Sequence, residues 1–423
     1  MSEVFNLVSS IFATAVDPRF RRDSRDFSRG GPLTPELITT LLLYMVADSN
    51  RRGYEHLLEG FWDEARSHGL DLPTDEPVAA ASFCEARHKI TPDLLRHILH
   101  EIASTSLETS FKSQRWHGKR VYAVDGTKIN LQRSPDLEAA FGVPDSGYCP
   151  QVLVSVMLDV CARAPVDVEV SPFASSEREH LFNMLPSLGP GDILVLDRGF
   201  PSHEVFQALV QEGVDFLIRV PATHTFEVID ELRESDGDDY LFYVDPPAGS
   251  PPEWTRLTLR AVRLRNPDGE ESFFLTTLRR SRFSRAQIRE LYHLRWEAEE
   301  FFKLLKGPYI GQGQFRSKTP SGVKQEIHAL VLYLAIARVL MATAANVTGA
   351  DYDSVSQKAA VLGLAAHLTR LFLSTSPDFA LRELHVLLCR IARTPQKRRP
   401  GRASPRVSYR PRLRWGPAGR VGG

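Results

Sequence analysis

The spacing of apolar positions changes along the chain and separates regions of different secondary structure. Up to about residue 113 the apolar runs are long enough for helices. Thr34 and Thr91 each precede a proline and an acidic residue, a combination that caps and opens a helix. Ala79–His88 predicts another short helix. Such a helical region fits a DNA-reading module and a plain helical bundle equally well.

From about Trp116 the apolar runs shorten and become rich in β-branched residues, which predicts strands. These runs are Val121–Val124, Val152–Val160, Val166–Val170, Ile193–Leu196 and Phe216–Val220. Two helix-like segments, Glu177–Leu185 and Ser202–Gln211, lie among them. The order strand, strand, strand, helix, strand, helix, strand predicts a mixed sheet covered by helices.

The later part of the chain alternates in character. Residues 221–270 combine acidic loops, prolines and alternating runs, which indicates a β-rich insertion. Arg285–Leu305 predicts one long helix, and more helical sequence runs from Gly322 to about Arg393. We therefore predict three domains: a helical DNA-binding region (1–113), a catalytic α/β domain (114–345) and a helical region with a basic tail (346–423).

The net charge of zero conceals a strong asymmetry. Eleven Lys or Arg residues lie from Arg390 onward, and no acidic residue follows Glu383. The tail is rich in proline and glycine, which is typical of an unpacked segment that binds a polyanion or only aids solubility. We expect Lys397, Arg398, Arg399 and Arg402 to bind DNA.

Other features point to the cytoplasm. The composition, 43% hydrophobic and 25% charged, is that of a globular protein. The longest apolar run, Ala329–Ala337, is flanked by charged residues and predicts a buried helix rather than a membrane span. We expect no secretory signal, and the four separated cysteines suggest reduced, buried thiols.

Two acidic residues follow predicted strands directly. Asp125 comes after the run VYAV and precedes Gly-Thr, and Asp197 comes after ILVL and precedes Arg-Gly-Phe. A carboxylate at the end of a buried strand is held at the sheet edge, where an active site can open. The alternative is an ordinary turn, since Asp-Gly is a common turn pair.

A third acid, Glu299, belongs to the predicted helix over 285–305. At 100° per residue, Tyr292, Arg295, Glu299 and Lys306 share a stripe about 60° wide beside the apolar face. Arg295 and Glu299 are also spaced as an ordinary i,i+4 salt bridge on a solvated helix flank. That alternative explains the charges but not the shared stripe.

The same four residues carry a resemblance. Tyr292, Arg295, Glu299 and Lys306 have the spacing Tyr-x2-Arg-x3-Glu-x6-Lys, which resembles the YREK signature of bacterial insertion-sequence transposases in the family numbered four. Asp-Gly-Thr at Asp125 and Asp-Arg-Gly-Phe at Asp197 are similar to that family too. The likeness covers roughly residues 30–415.

This resemblance implies a DDE-type transposase, with a ribonuclease-H-like mixed sheet flanked by helices and a β-rich insertion at about 221–270. Asp125, Asp197 and Glu299 would hold two Mg²⁺ ions, or Mn²⁺, with Asp125 shared between them. Arg295 and Lys306 would grip phosphates, and Tyr292 would contact a phosphate or a displaced base. The family's base-stacking aromatic corresponds to Ser272 or Phe273 here, with Trp254 a less well placed substitute.

The implied activity is cut-and-paste transposition of an insertion sequence, through 3′-OH release, a hairpin and strand transfer. Its partners would be the terminal inverted repeats and target double-stranded DNA, bound by a homodimer in the bacterial cytoplasm at the nucleoid. One alternative is a catalytically silent DNA-binding protein derived from a transposase. Another is a metal nuclease of the same fold that only hydrolyses DNA.

Overall fold

The structure, a computed structural model, describes residues 2–48, 52–145, 147–221, 227–234, 237–265, 269–307 and 315–396. Within these residues eight strands form one sheet. They are β1 (Val121–Asn130), β2 (Gln151–Asp159), β3 (Ala164–Pro172), β4 (Ile193–Leu196), β5 (Asp215–Val220), β6 (Asp239–Val244), β7 (Leu257–Arg265) and β8 (Glu271–Thr276).

The sheet is mixed, and its spatial order is β3-β2-β1-β4-β5-β8-β7-β6. β1, β4 and β5 run parallel to one another. The remaining neighbours pair antiparallel. The five strands predicted from residues 121–220 are all present, and β6, β7 and β8 extend the same sheet.

Helices cover both faces of the sheet and form both ends of the described chain. They are α1 (Ser2–Ala15), α2 (Pro35–Ala47), α3 (Tyr54–Ser67), α4 (Ala80–His88), α5 (Asp93–Glu108), α6 (Pro135–Phe141), α7 (Glu177–Met184), α8 (His203–Gln211), α9 (Glu227–Glu234), α10 (Arg285–Leu294), α11 (Trp296–Leu305), α12 (Pro320–Thr348), α13 (Gln357–Leu373) and α14 (Pro377–Ala392).

Alternation along the strands builds two cores. Val121, Ala123 and Val195 face a core that includes α11, α12 and the N-terminal helices. Tyr122 and Val124 face the opposite core, with α7, α8 and α9. This arrangement confirms the predicted α/β, ribonuclease-H-like fold class, with its β-rich insertion and helical terminal regions.

Helix α12 is the central helix of the larger core. It packs against α2, α5, α13, α14 and β3. By length and composition it is apolar enough to cross a membrane, but its most apolar window is wholly buried inside the protein. A core helix that is apolar on all sides explains this pattern. The predicted domain boundary at residue 345 falls in the last turn of α12, and the three-domain division stays a prediction.

The helix predicted over 285–305 is two helices, so that part of the prediction is wrong. α10 ends at Leu294, α11 begins at Trp296, and Arg295 lies between them. The backbone N–H of Arg295 bonds to the carbonyl of Tyr292 at 3.2 Å, and that of Ala298 to the carbonyl of Arg295 at 3.0 Å. These i→i−3 bonds tighten the chain into a 3₁₀-like turn at the junction.

Candidate active site

Two neighbouring parallel strands place Asp125 and Asp197 side by side. Ala123 of β1 pairs with Val195 of β4, and each aspartate lies two residues further along its chain. The apolar residues before both acids are fully buried. Asp197 directly follows the end of β4 as predicted, but β1 continues to Asn130, so the prediction that Asp125 ends its strand is wrong. Asp125 lies in the middle of β1, where β1 also pairs with β2.

Backbone groups hold both carboxylates locally. The N–H of Gly126 donates to Asp125 Oδ1 at 3.0 Å, and the N–H of Arg198 donates to Asp197 Oδ1 at 2.6 Å. Phe200, buried at 2% exposure, fixes the loop after β4, and its N–H donates to the carbonyl of Asp197. Each aspartate keeps a second carboxylate oxygen for another partner.

Arg295 connects the acid on the helix to the acid on the sheet. Its Nη2 donates to Glu299 Oε1 at 2.7 Å, and its Nη1 lies 3.6 Å from Asp125 Oδ2. The i,i+4 pair expected of an ordinary helix flank is therefore present, but it also reaches across to β1. Arg295 and Asp125 are only 12% and 24% exposed at their side chains.

Burial raises the pKa of Asp125 above its usual value. The Arg295 charge and the Gly126 N–H oppose that rise, and the charges of Asp197 and Glu299 add to it. A bound cation would stabilise the ionised form of a carboxylate whose pKa is raised by burial and by like charges. Asp197 and Glu299 are close enough to Asp125 for their charges to act on it.

Tyr292 and Lys306 border the same group of acids. The Tyr292 ring packs edge-on against Phe274, with 4.6 Å between centroids, and burial raises its pKa. Among the described residues the Tyr292 hydroxyl and Arg295 Nε are buried without hydrogen-bond partners. Lys306 Nζ donates to the hydroxyl of Thr127, two residues after Asp125 on β1, and burial lowers the pKa of Lys306.

The three acids are candidate ligands for a divalent metal ion. Asp125, Asp197 and Glu299 offer only carboxylate oxygens, the ligands that Mg²⁺ and Mn²⁺ prefer. In the part of the chain that the structure describes, no three such side chains are already closed into a metal-holding cluster. Arg295 instead contacts two of the acids. The residues fit a divalent cation by chemistry and charge.

Sequence reasoning missed Glu177, which lies at the start of α7 on the other side of β1. A Cβ at Gly126 would be 2.5 Å from Glu177 Oε1, so only glycine admits this carboxylate against the strand. Burial raises the pKa of Glu177, and the charges of Asp125 and Asp197 raise it further. An acid in the first turn of a helix is common, so the sequence held no signal for it beyond Gly126.

The residues predicted to stack on a displaced base differ in their exposure. Phe273 is 3% exposed and packs in the core with α7 and α8, so it cannot receive a base. Ser272 instead accepts a hydrogen bond from Arg219 and lines a cavity of about 670 Å³, together with Tyr292. The tail residues Lys397, Arg398, Arg399 and Arg402 lie outside the described residues.

The chain is similar to known proteins. The profile of a family described as "Transposase DDE domain" matches residues 116–336, a little over half of the chain. That stretch contains Asp125, Asp197 and Glu299.

A relative from Escherichia coli (strain K12), whose name describes it as the transposase InsZ, is 20% identical over 150 residues. The match covers 34% of this chain and 50% of the relative, so the chain spans about half the length of the curated relative that it matches. A solved structure of the piggyBac transposase in a synaptic complex with hairpin DNA aligns with a TM-score of 0.45 and 11% identity, covering 91% of this chain and 84% of that one.

Proposed function

Because the chain belongs to the transposase DDE domain family, we propose that it moves an insertion sequence by cutting and rejoining DNA at the edge that carries Asp125, Asp197 and Glu299. The observation that carries this proposal is that Arg295 joins Asp125 on β1 to Glu299 on α11, with Asp197 following the neighbouring parallel strand β4. DDE transposases generally use divalent metal ions, and these three acids are the ligands that we assign to them.

Three carboxylates suit phosphodiester chemistry because the reaction adds negative charge to a phosphate that is already an anion. Two Mg²⁺ or Mn²⁺ ions, when bound, would activate the attacking oxygen and stabilise the leaving oxygen. We assign Asp125 to both ions, Asp197 to one and Glu299 to the other. The buried backbone of two neighbouring strands, β1 and β4, holds the two aspartates in place, which keeps their positions fixed during the reaction.

The neighbouring cations have a different role. Arg295 and Lys306 lie next to the carboxylates. Among the residues that the structure describes, the buried Nε of Arg295 has no hydrogen-bond partner, so it can still donate to a substrate oxygen. We propose that both bind phosphates flanking the cut, which positions the scissile bond without reading sequence. Tyr292 would place its hydroxyl on a phosphate or its ring against a displaced base.

The reaction would proceed in the order that the family resemblance suggests. Water attacks the phosphorus at each element end, and the broken P–O bond leaves a 3′-OH and a 5′-phosphate. That 3′-OH attacks the opposite strand, which forms a hairpin and releases the flanking DNA with its own 3′-OH. A second hydrolysis opens the hairpin, and the freed 3′-OH then joins target DNA.

We further propose that the chain acts as a homodimer on its terminal inverted repeats, in the bacterial cytoplasm at the nucleoid. The basic tail, with Lys397, Arg398, Arg399 and Arg402, would add contacts to DNA phosphates. Truncation before Arg393 should then weaken DNA binding and flatten its dependence on salt. Unchanged binding by the truncated chain would rule out this role of the tail.

A second candidate is a catalytically silent DNA-binding protein derived from a transposase. The observation on its side is the i,i+4 salt bridge between Arg295 and Glu299, because such a pair accounts for the charges of these two residues. The test uses DNA from both sides of the gene, searched for imperfect inverted repeats. Purified protein with Mg²⁺ should nick such ends, and Asp125→Ala should not. Binding without nicking by the wild type would favour the silent protein, and products that never form a hairpin would favour a nuclease.

A further inference from the structure

The edge of the sheet at which the parallel strands begin lies opposite the carboxylates. β1, β4 and β5 begin there, and Val121 pairs with Ile193 at that end. Asp125 and Asp197 lie four residues further along, about 13 Å away at ~3.3 Å per residue. β8 runs antiparallel to β5, so the loop after Thr276 returns to this same far edge.

Two basic segments meet at that edge. Residues 112–120 lead into β1, and residues 279–285 connect β8 to α10. The buried rings of Trp116 and Phe283 stack with 5.1 Å between centroids and join the two segments. Trp116 Nε1 also donates to Glu290 at 3.0 Å, which ties the first segment to α10.

Six exposed cations lie on these joined segments, and we call them the basic edge. They are Lys112, Arg115, Arg279, Arg280, Arg282 and Arg285. Among the described residues, Lys112, Arg115, Arg279 and Arg282 form no salt bridge within 4.0 Å. These four side chains therefore have no ion-pair partner in that part of the chain.

Two acids beside the basic edge, Asp238 and Asp239, are already held by other arginines. Buried Arg260 grips Asp239 with two bonds of 2.9 Å, while Arg280 stands 3.7 Å from the same carboxylate. Buried Arg263 holds Asp238 at 2.8 Å, and Arg285 shares that acid. Because each acid already has one buried cation, the exposed arginines add net positive charge.

Helix stability does not explain this arrangement. α10 begins at Arg285 and has no acidic residue in its first turn. A cation at a helix N-terminus opposes the helix dipole, so Arg285 does not stabilise α10 through the dipole and instead pairs with Asp238.

We propose that the basic edge binds the phosphate backbone of a stretch of double-stranded DNA separate from the phosphate being cut. This inference rests on the proposed function, because it assumes that the opposite edge handles the scissile DNA. Exposed arginines suit the role, since guanidinium groups pair with phosphate oxygens in two-pronged fashion. The DNA is either the flank of the same duplex or a second duplex.

The test measures binding of the full-length chain to a random-sequence duplex in EDTA, which prevents cleavage. Arg279→Gln/Arg282→Gln removes two charges, and Arg382→Glu changes the net charge equally on the exposed face of α14. If both arginines contact phosphates, the double variant should flatten the slope of log K against log salt by about 2 and weaken binding by about 30-fold near ~0.15 M salt. Arg382→Glu should leave the slope unchanged.

Duplex length separates the two sources of DNA. A defect that appears only when a duplex of about 20 base pairs is extended to about 40 identifies the flank of the same duplex. A defect with the short duplex, and loss of the second of two bound duplexes, identifies a second molecule. If the double variant binds both lengths as Arg382→Glu does, the basic edge has no such role.

Failure of the proposed function is distinguishable from failure of this inference. If wild-type protein never nicks its element ends but shows the differences above, the transposase activity fails and the DNA-binding surface stands. If the double variant nicks and binds DNA like the wild type, only the inference about the basic edge is overturned. Circular dichroism of each variant verifies that its fold is intact.

Discussion

Two arginine–glutamate pairs in this protein differ in their surroundings. Arg87 of α4 and Glu326 of α12 are buried, at 3% and 2% side-chain exposure. Every nitrogen of the Arg87 guanidinium has a partner, on Gln325, Glu326, Tyr54 or the carbonyl of Gly322. This pair is a completed structural joint between the N-terminal helices and α12.

The Arg295–Glu299 pair is incomplete by the same measure. Arg295 Nε is buried without a partner among the described residues, and Nη1 stands 3.6 Å from Asp125. The Tyr292 hydroxyl beside it is also buried and unpartnered in that part of the chain. An unsatisfied buried donor costs free energy. We therefore expect a substrate oxygen to accept a hydrogen bond from Arg295 Nε, beside Glu299 and Asp125.

Breaking the completed pair should give the largest effect on folding. Glu326→Gln leaves the Arg87 charge buried, and it weakens the bonds that the N–H groups of Arg316 and Ser317 donate to Glu326. We expect a loss of about 3–5 kcal/mol in the free energy of unfolding, measured by urea denaturation. Asp245→Asn, which breaks an exposed pair with Arg256, is the control and should leave the midpoint unchanged.

If Glu326→Gln instead has the same urea midpoint as the wild type, the completed Arg87–Glu326 pair does not contribute to the free energy of unfolding as proposed.

Gly126 tests whether Glu177 belongs to the site. Gly126→Ala forces the Glu177 carboxylate to move, and the side chain can swing away at little cost in stability. We expect DNA cleavage to fall by about 10–100-fold, the usual effect of disturbing a group that supports metal ligands. Glu177→Ala should lose a similar factor.

The variant that combines Gly126→Ala with Glu177→Ala shows whether the two losses of cleavage have the same cause. If Gly126 is there to admit Glu177, Gly126→Ala should add nothing in the Glu177→Ala background. Additive losses in cleavage rate would mean that the two residues act independently.

The smallest effect concerns the pH dependence of folding without metal. Burial raises the pKa of Asp125 in the folded state, so its ionisation opposes folding. Below about pH 4, the unfolded pKa, wild type and Asp125→Asn should differ little in stability. As the pH rises towards the folded pKa, the wild type should become the less stable of the two. Thermal unfolding in EDTA across this range measures it, and a wild type that gains on Asp125→Asn with rising pH would contradict it.

Much of the candidate active site could be predicted from the sequence because it depends on local patterns. The buried runs before Asp125 and Asp197 predicted both strands, although β1 continues past Asp125. Helical spacing predicted the stripe of Tyr292, Arg295, Glu299 and Lys306. The 3₁₀-like turn at Arg295 keeps that stripe together, although the helix is broken. Local periodicity survives a single tightened turn.

The rest depends on contacts between distant segments. Glu177 meets Gly126 only because α7 packs across β1, and nothing near either residue announces that contact. The basic edge exists because Trp116 stacks on Phe283, which lies 167 positions later in the chain. Sequence patterns describe such segments separately and do not show which of them meet.

The central claim is that Glu299 acts in catalysis and is not merely half of a salt bridge. The measurement compares Glu299→Gln with Glu300→Gln, a matched change on the same helix at an exposed position. Nicking of element ends in Mg²⁺ and binding of those ends in EDTA are measured for both. Glu299→Gln should abolish nicking and leave binding largely intact, and Glu300→Gln should preserve both. Equal loss of nicking and binding in Glu299→Gln, or wild-type nicking, would contradict the account.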